Sequence, residues 1–341
     1  MTGMFGNVTT ATMETTNRTC DHEPCISSTV MLTAEWLTII LATLGFVGNL
    51  LTVLAIITSN LKCNINCILI GNLSAAQIVY CGSVLPLQAL IFHTHGWPLA
   101  EEVCIMNSAV RIWLIGVNMM LLSAIALYRF LHIVHPQTYS RFSARGPFIS
   151  IVVLCWLFSL VFCLTPVIHL WGSFSFHATI LQCTFTPSKQ KSHKVTTITL
   201  GFVIPCIFIV VCYARIGCVA YISRKRVART ASQYRRHKSQ KDSLRLTAMM
   251  LCIFCLFLIG TTPYFAVNIL DPAFMNPMAH IWAPFMAWFM YCMNPVVYTV
   301  MDHNFQTAFR RLLTCDVCRD GNKRSCVAGN SSIAESSHAQ H

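Results

Sequence analysis

The sequence contains few charged residues. Only 11% of its 341 residues are Asp, Glu, Lys or Arg, whereas 55% are hydrophobic. Soluble domains carry charges at about a quarter of their positions, so this composition excludes an ordinary water-soluble protein. Acidic residues are the scarcest charged class, with 12 Asp and Glu against 24 Lys and Arg.

The chain also lacks the features that mark several functional classes. It has no internal repeat, which counts against a transporter built from inverted repeats. It shows no nucleophile–base pair and no metal-ligand spacing, because His132, His135, His169 and His280 are isolated. The polar first 30 residues contain no signal-peptide core. We therefore expect no enzyme activity, no cofactor and no metal site.

Long apolar runs dominate what is present. A run of about 20 apolar residues forms a helix of about 30 Å, which is enough to cross the hydrocarbon core of a membrane. Seven such runs follow one another with short polar spacers, at 34–58, 66–92, 101–134, 147–170, 195–223, 242–270 and 278–301. The pattern predicts an all-α membrane protein, a seven-transmembrane helix bundle.

The distribution of Lys and Arg predicts the orientation of this bundle. Seventeen of them fall in the spacers and tail of one side, and four fall on the other. Because basic residues concentrate in cytoplasmic loops, we expect a multi-pass plasma-membrane protein with an extracellular N-terminus and a cytoplasmic C-terminus. Contact of these loops with anionic membrane lipid explains the net charge of +12 better than nucleic-acid binding.

This topology divides the chain into four parts. We expect an extracellular glycosylated segment at 1–33, the seven-span domain at 34–301, an amphipathic membrane-surface helix at 302–314 and a disordered cytoplasmic tail at 315–341. Sequons at Asn7 and Asn17 predict glycosylation of the first part. Cys315 and Cys318, just after the surface helix, are candidate palmitoylation sites.

The positions of the cysteines predict one disulfide. Most of the 18 cysteines lie in apolar runs, where a buried thiol is ordinary packing. Cys104 lies near the start of the third run and Cys183 lies in the long second outer loop, on the side where disulfides persist. A Cys104–Cys183 bridge would hold that loop over the third helix. Cys20 and Cys25 are a second candidate pair.

Two arginines inside the third run are the most informative polar residues. An arginine at the centre of a membrane helix costs about 2.5–3.5 kcal/mol, so one that is retained there suggests a function. Arg111 and Arg129 are 18 residues apart, which is five turns of 3.6 residues. Cys104 and Asn118 lie on nearly the same face. We expect this face to point into the bundle.

Arg111 has three interpretations. It could anchor the carboxylate or phosphate of a ligand through paired hydrogen bonds. It could instead form an internal ion pair with Glu35, Glu101 or Glu102, or extend towards the membrane surface. The sequence leaves these alternatives open.

Motifs in all seven runs, in the same order, resemble those of the rhodopsin-like (class A) G-protein-coupled receptors. The second run contains NLSAAQ, the third contains YRF in place of DRY, and the seventh contains NPVVY followed by DHNFQTAFRRLL. Single residues that match the family are Gly48, Asn49, Trp156, Pro166, Pro205, Tyr213, Phe257 and Pro263. The stretches IALYRFLHIVHPQTYSRFSARG and TPYFAVNILD are similar to the branch with melatonin receptors, the medium-chain fatty-acid receptor and Moody-type orphan receptors.

The resemblance implies a receptor that transduces binding of an extracellular ligand, here a small acidic or lipid-like molecule, into activation of a heterotrimeric G protein. It implies an inhibitory G protein by analogy with its branch, and a receptor kinase and arrestin acting on the tail. The implied ligand-binding residues are Gln88, Arg111, Ile112, Ile115, Tyr264, Phe265, Asn268, His280 and Trp288. The implied residues for switching and G-protein coupling are Tyr128, Arg129, Tyr213, Phe257, Asn294, Pro295 and Tyr298.

The chain departs from the family pattern at several positions. Gln77 replaces an aspartate that helps to hold sodium, so sodium should have little effect. Thr261 replaces a tryptophan of the sixth helix. Tyr128 replaces the aspartate beside Arg129, which predicts raised basal activity. The seventh run has no lysine, which excludes an ordinary opsin.

These departures leave other functions open. A decoy or non-signalling receptor would explain the altered YRF motif, and a receptor for a peptide would use the same fold. A transporter or channel is the alternative from a different class. G-protein activation measured with and without ligand separates signalling from the non-signalling alternatives.

Overall fold

The computed structural model describes residues 26–186, 191–227 and 234–314. Within this part of the chain, seven long helices form one bundle. We call them spans 1 to 7; their bounds are Ser28–Thr58, Ile65–Thr94, Glu101–Val134, Arg145–Val167, 191–227, Tyr234–Leu270 and Pro277–Met301. The predicted sites Asn7, Asn17, Cys20, Cys25, Cys315 and Cys318 lie outside the described residues.

The predicted all-α bundle is confirmed. Span 3 begins and ends where its apolar run does, at Glu101 and Val134. Span 6 begins at Tyr234 instead of 242, because its first turns are polar and extend the helix past the apolar run. Span 7 has 25 residues, enough to cross a membrane, although its polar residues and prolines make it less apolar than the other six.

Spans 2 and 5 each contain one π turn. The π turn of span 2 is Tyr80–Val84, between Ile65–Val79 and Leu85–Thr94. The π turn of span 5 is Thr199–Val203, between Lys191–Ile198 and Ile204–Val227. Pro86 and Pro205 each lie two residues after the end of these turns. A proline removes one backbone donor, and the wider turn rotates the residues before it relative to those after it.

Buried amides join the spans to one another. The Asn49 amide of span 1 donates to the carbonyl oxygens of Gly45 (2.8 Å) and Tyr291 (3.0 Å), the latter in span 7. Gln77 of span 2 donates to Asn118 of span 3 at 3.2 Å. Because a polar group in hydrocarbon is costly without a partner, these bonds fix how the spans face each other.

A β-hairpin covers one end of the bundle. Strands β1 (Phe174–His177) and β2 (Gln182–Phe185) pair antiparallel, with Phe176 opposite Cys183. Cys183 forms the predicted disulfide with Cys104, with 5.6 Å between their Cα atoms. We call this end the Cys104 end and the other the Arg129 end.

Two short helices lie at the Arg129 end. Pro136–Phe142 follows span 3. His303–Leu313, called the surface helix, follows span 7. The Asp302 carboxylate caps the surface helix by accepting hydrogen bonds from the backbone N–H groups of Asn304 (2.7 Å) and Phe305 (3.4 Å). Such side-chain caps satisfy donors that the first helical turn leaves free.

Candidate functional site

Arg111 is buried at the Cys104 end and has no carboxylate partner in the part of the chain that the structure describes. Its side chain is only 4% exposed, which rules out extension to the membrane surface. Its Nη2 donates to the backbone carbonyl of Cys183, and its Nε has no partner among the described residues. Glu35 pairs instead with His93, with 3.0 Å between Oε1 and Nδ1. Glu101 and Glu102 are exposed.

A small cavity lies directly beside Arg111. It lies between spans 2, 3, 6 and 7 under strand β2, and the empty space among its lining residues, including space open to solvent, is about 350 Å³. Its polar wall consists of Tyr80, Arg111, Gln182, Thr261, Tyr264, Trp288 and Tyr291, and its apolar wall includes Ile115, Phe265 and Pro284. We call it the arginine cavity. It offers one cation together with several hydroxyl and amide groups.

A second, larger cavity adjoins the first. It lies between spans 3, 4, 5 and 6, and the empty space among its lining residues, including space open to solvent, is about 680 Å³. Its wall is largely aromatic and aliphatic, with Ile112, Met120, Phe158, Phe162, Phe185, Ile198 and Phe202. We call it the apolar cavity. Ile115, Tyr264 and Phe265 line both cavities, so the two compartments meet at this wall.

The wall between the cavities is built from packed rings. Phe265 lies 4.1 Å from Phe202 of span 5 and 5.4 Å from Tyr264, measured between ring centroids. On the other side of the arginine cavity, the indole N–H of Trp288 donates to the Tyr80 hydroxyl at 3.1 Å. A ligand that occupied both cavities would therefore contact Tyr264 and Phe265 of span 6.

Most of the predicted ligand residues line these cavities. Arg111, Ile112, Ile115, Tyr264, Phe265, Asn268 and Trp288 lie in one wall or both. Gln88 and His280 are also buried but line neither cavity, and each holds a loop. Gln88 donates to the Leu181 carbonyl in the hairpin at 3.0 Å. The Nε2 of His280 lies 3.1 Å from the backbone oxygen of Asp271.

Asp271 organises the loop between spans 6 and 7. Its two carboxylate oxygens accept the backbone N–H groups of Met275 (2.8 Å) and Asn276 (2.7 Å), and Oδ2 lies 3.3 Å from His280. Burial alone would raise the pKa of this carboxyl. The two backbone N–H groups and His280 outweigh it and hold the pKa below its usual value. Asp271 is thus a loop anchor rather than a partner of Arg111.

Four polar residues of the arginine cavity were missing from the predicted ligand set. Tyr80, Gln182, Thr261 and Tyr291 all line the arginine cavity. Thr261 carried a signal, since it stands where the family has a tryptophan. Gln182 could also have been found from the sequence, since it directly precedes the disulfide cysteine Cys183. Tyr80 sits in a π turn, whose rotation no sequence spacing reveals.

A wide cavity opens at the Arg129 end. The empty space in it, including space open to solvent, is about 1360 Å³, and its lining includes Asn60, Asn64, Asn66, Arg129, His132, Tyr139, Arg245, Asp302 and His303. Arg129 is only 2% exposed, and its Nε and Nη2 have no hydrogen-bond partner in the described part of the chain. We call it the Arg129 cavity.

Tyr128 does not replace the missing aspartate as a partner of Arg129. Its hydroxyl donates to the backbone carbonyl of Phe142 at 3.0 Å. Its ring packs edge-on against Tyr139 (6.4 Å) and Phe148 (5.7 Å). Tyr128 therefore fixes the helix Pro136–Phe142 and gives Arg129 no acid at the adjacent position in the chain.

The other predicted switch residues are buried between the spans. Tyr298 is 0% exposed and stacks on Phe305 of the surface helix, 5.4 Å away. Tyr213 stacks on Phe254 at 6.4 Å, joining spans 5 and 6. Phe257, Asn294 and Pro295 lie inside spans 6 and 7. Tyr128, Tyr213, Phe257 and Tyr298 all belong to one cluster of packed, buried side chains.

Comparison with known proteins identifies relatives of this architecture. A family model described as "7 transmembrane receptor (rhodopsin family)" matches residues 48–298. The solved structure of squid rhodopsin superposes with a TM-score of 0.76 and 19% identity, covering 92% of this chain and 91% of that one. This superposition shows the same fold.

Curated relatives come from insects and vertebrates. The G-protein coupled receptor moody of Drosophila melanogaster is 24% identical over 86% of this chain and 53% of its own length. Protein trapped in endoderm-1 of the same fly is 26% identical over 80% and 75%, and the mouse melatonin receptor type 1A is 24% identical over 82% and 80%. The chain spans about half the length of the moody relatives.

Proposed function

Since the chain belongs to the rhodopsin family of seven-transmembrane receptors, we propose that it binds a ligand in the arginine and apolar cavities and activates a heterotrimeric G protein at the Arg129 end. A ligand shifts such an equilibrium only as far as it binds the active arrangement better than the resting one. We assign to Tyr264 and Phe265 the ligand contacts that differ between the active and resting arrangements, because these residues line both cavities and belong to span 6.

The Cys104 end faces outward in this proposal. The excess of Lys and Arg in the loops of the Arg129 end supports that orientation. So does the Cys104–Cys183 disulfide, because disulfides persist outside the cytosol. The protein is a multi-pass membrane protein, and we place it in the plasma membrane.

The ligand that fits best is an amphipathic acid. Arg111 carries this choice, since it is a buried cation with an unpartnered Nε and no carboxylate partner among the described residues. A ligand carboxylate would satisfy the guanidinium through paired hydrogen bonds. The adjoining apolar cavity would receive a hydrocarbon chain, whose burial contributes about 0.8 kcal/mol per CH₂.

The hairpin supports a small ligand over a peptide. The backbone of Cys183 contacts Arg111 directly, and Gln182 lines the arginine cavity. Leu181 lies beside them and is 3% exposed. A folded peptide would have to displace this hairpin, which the disulfide holds to span 3.

A panel of matched ligands tests this proposal. Straight-chain carboxylic acids of increasing length would be compared with the alcohols and methyl esters of the same length, using a promiscuous G-protein readout in cells. We expect the acids to activate, with potency rising until the apolar cavity is full, and the neutral analogues to be inactive. Equal potency of acid and ester would refute the anchor role of Arg111.

The signalling partners follow from the same proposal. An inhibitory G protein is the expected class, by analogy with the melatonin-receptor relative. A receptor kinase and arrestin are expected to act on the serines of the tail. Basal activity is expected to be raised, because residue 128 supplies no charge to hold Arg129.

A further inference from the structure

Arg129 is a buried cation that needs a counter-charge. It is 2% exposed, and its Nε and Nη2 donate to no group in the described part of the chain. An uncompensated charge inside a membrane protein is strongly unfavourable. The adjacent Tyr128 contributes no charge, and its hydroxyl is occupied by Phe142.

Only one carboxylate is available at this end among the described side chains. Glu35, Glu101, Glu102 and Asp271 all lie at the Cys104 end. Asp302 alone lies at the Arg129 end, where it and Arg129 line the same cavity. Arg129 interacts electrostatically with Tyr213, Tyr139, Cys67, His132 and, most weakly of the groups that act on its own charge, Asp302. The two side chains make no direct ion pair among the described residues, but Asp302 is the one carboxylate in this set.

The geometry of Asp302 leaves part of its carboxylate available. Oδ1 accepts the two capping hydrogen bonds from Asn304 and Phe305, whereas Oδ2 accepts none from the described residues. Arg245 lines the same cavity but is exposed, so it can keep its charge in water. The buried Arg129 therefore gains more than Arg245 from a nearby carboxylate.

We propose that Asp302 is the positioning residue that supplies the counter-charge of Arg129 in this chain. The carboxylate has moved from residue 128 of span 3 to the junction between span 7 and the surface helix. Tyr298 and Phe305 stack across that junction. In this proposal, any displacement of the end of span 7 moves the Asp302 carboxylate away from Arg129. The positions of spans 3 and 7 are therefore coupled in the resting state. The proposed coupling to activity rests on the proposed G-protein function.

The variant Asp302→Asn separates charge from capping. Asparagine caps helices as well as aspartate does, so the surface helix should remain. In purified receptor we expect Asp302→Asn to lower the melting temperature by about 2–4 °C and to raise basal nucleotide exchange on the G protein roughly fivefold. Tyr128→Asp, which returns a carboxylate to span 3, should suppress both effects.

A double-mutant cycle with Arg129→Gln decides whether the effect passes through Arg129. With Gln at position 129, Asp302→Asn should no longer lower the melting temperature. An equal loss in both backgrounds would overturn the proposal, because Asp302 would then act only on the dipole of its own helix. An unchanged melting temperature for Asp302→Asn alone would also overturn it.

Asp242 is the competing carboxylate, and its side chain lies outside the described residues. If Asp242→Asn, rather than Asp302→Asn, shows the loss that depends on Arg129, the assignment to Asp302 is wrong. The melting-temperature cycle does not require a G protein. If the cycle holds while no variant stimulates nucleotide exchange, the pairing stands and the proposed signalling function fails.

Discussion

The hydroxyl of Tyr128 donates a hydrogen bond to the backbone carbonyl of Phe142, 3.0 Å away, and its oxygen accepts none from the Nε or Nη2 of the adjacent Arg129. Residue 128 therefore holds the helix Pro136–Phe142 against span 3. In the family pattern an aspartate at this place would hold the arginine. Tyr128 thus still fixes the helix Pro136–Phe142, but the charge that would hold Arg129 has to come from another residue.

Tyr128→Asp should lower basal signalling. A carboxylate beside Arg129 adds a charged hydrogen bond to the resting state, worth about 1.5–3 kcal/mol. Basal G-protein activation should fall by about tenfold or more, measured at equal surface expression. Tyr128→Phe is the matched control, because it removes the bond to Phe142 without adding a charge. Unchanged or higher basal output from Tyr128→Asp would contradict the weakened restraint on Arg129.

Arg111→Gln should impair the response to acidic agonists. The variant keeps polarity but removes the charge, so the affinity for a carboxylate should fall by about 10- to 100-fold, the equivalent of about 1.5–3 kcal/mol. Arg111→Lys keeps the charge but loses the paired geometry, and an intermediate loss is expected. Concentration–response curves for one acid on the three receptors provide the measurement. Full potency of the acid on the Arg111→Gln receptor would contradict the role of Arg111 as the anchor of the ligand carboxylate.

Gly201→Leu should shorten the ligands that the apolar cavity accepts. Gly201 lines this cavity, and a Cβ added there meets no atom within 4 Å, so the larger side chain enters empty space. Potency should fall for long-chain acids and remain for short ones. Gly217→Leu is the matched control, because Gly217 also has open space in span 5 but does not line the cavity. An equal loss for all chain lengths would argue against occupation of this cavity.

Sodium should have little effect on agonist affinity, and Gln77→Asp should introduce an effect. Gln77 is 1% exposed and donates to Asn118 at 3.2 Å, so amides occupy the position where a sodium site needs a carboxylate. The test compares agonist binding in sodium and in a bulky organic cation. A large sodium-specific shift in the unmodified receptor would contradict this reading of the amide cluster.

The apolar pattern predicted the architecture well because hydrocarbon imposes a simple rule. Backbone groups inside a membrane must bond within their own helix, so run length alone located span 3 to the residue. The helical period put Arg111 and Arg129 on one inward face, and both are buried. The boundaries were poorer at span 6, where polar turns continue the helix beyond the membrane.

The partners of the buried polar groups depended on the tertiary structure. Arg111 bonds to a carbonyl 72 residues away, in a hairpin whose position the disulfide sets. Tyr80 lies in the π turn of span 2 and Gly201 in that of span 5, and both line a cavity; no spacing in the sequence shows where these turns occur.

The sequence by itself thus determined the number of spans, the inward face of span 3 and the lack of charge at residue 128, because these depend on residue type and helical period alone. Only the tertiary structure decided that Arg111 has no carboxylate partner among the described residues, that two cavities meet at Tyr264 and Phe265, and that Asp302 shares a cavity with Arg129. The physical reason is that a buried charge interacts with whatever group the folded bundle brings near it in space, and its neighbours along the chain do not specify that group.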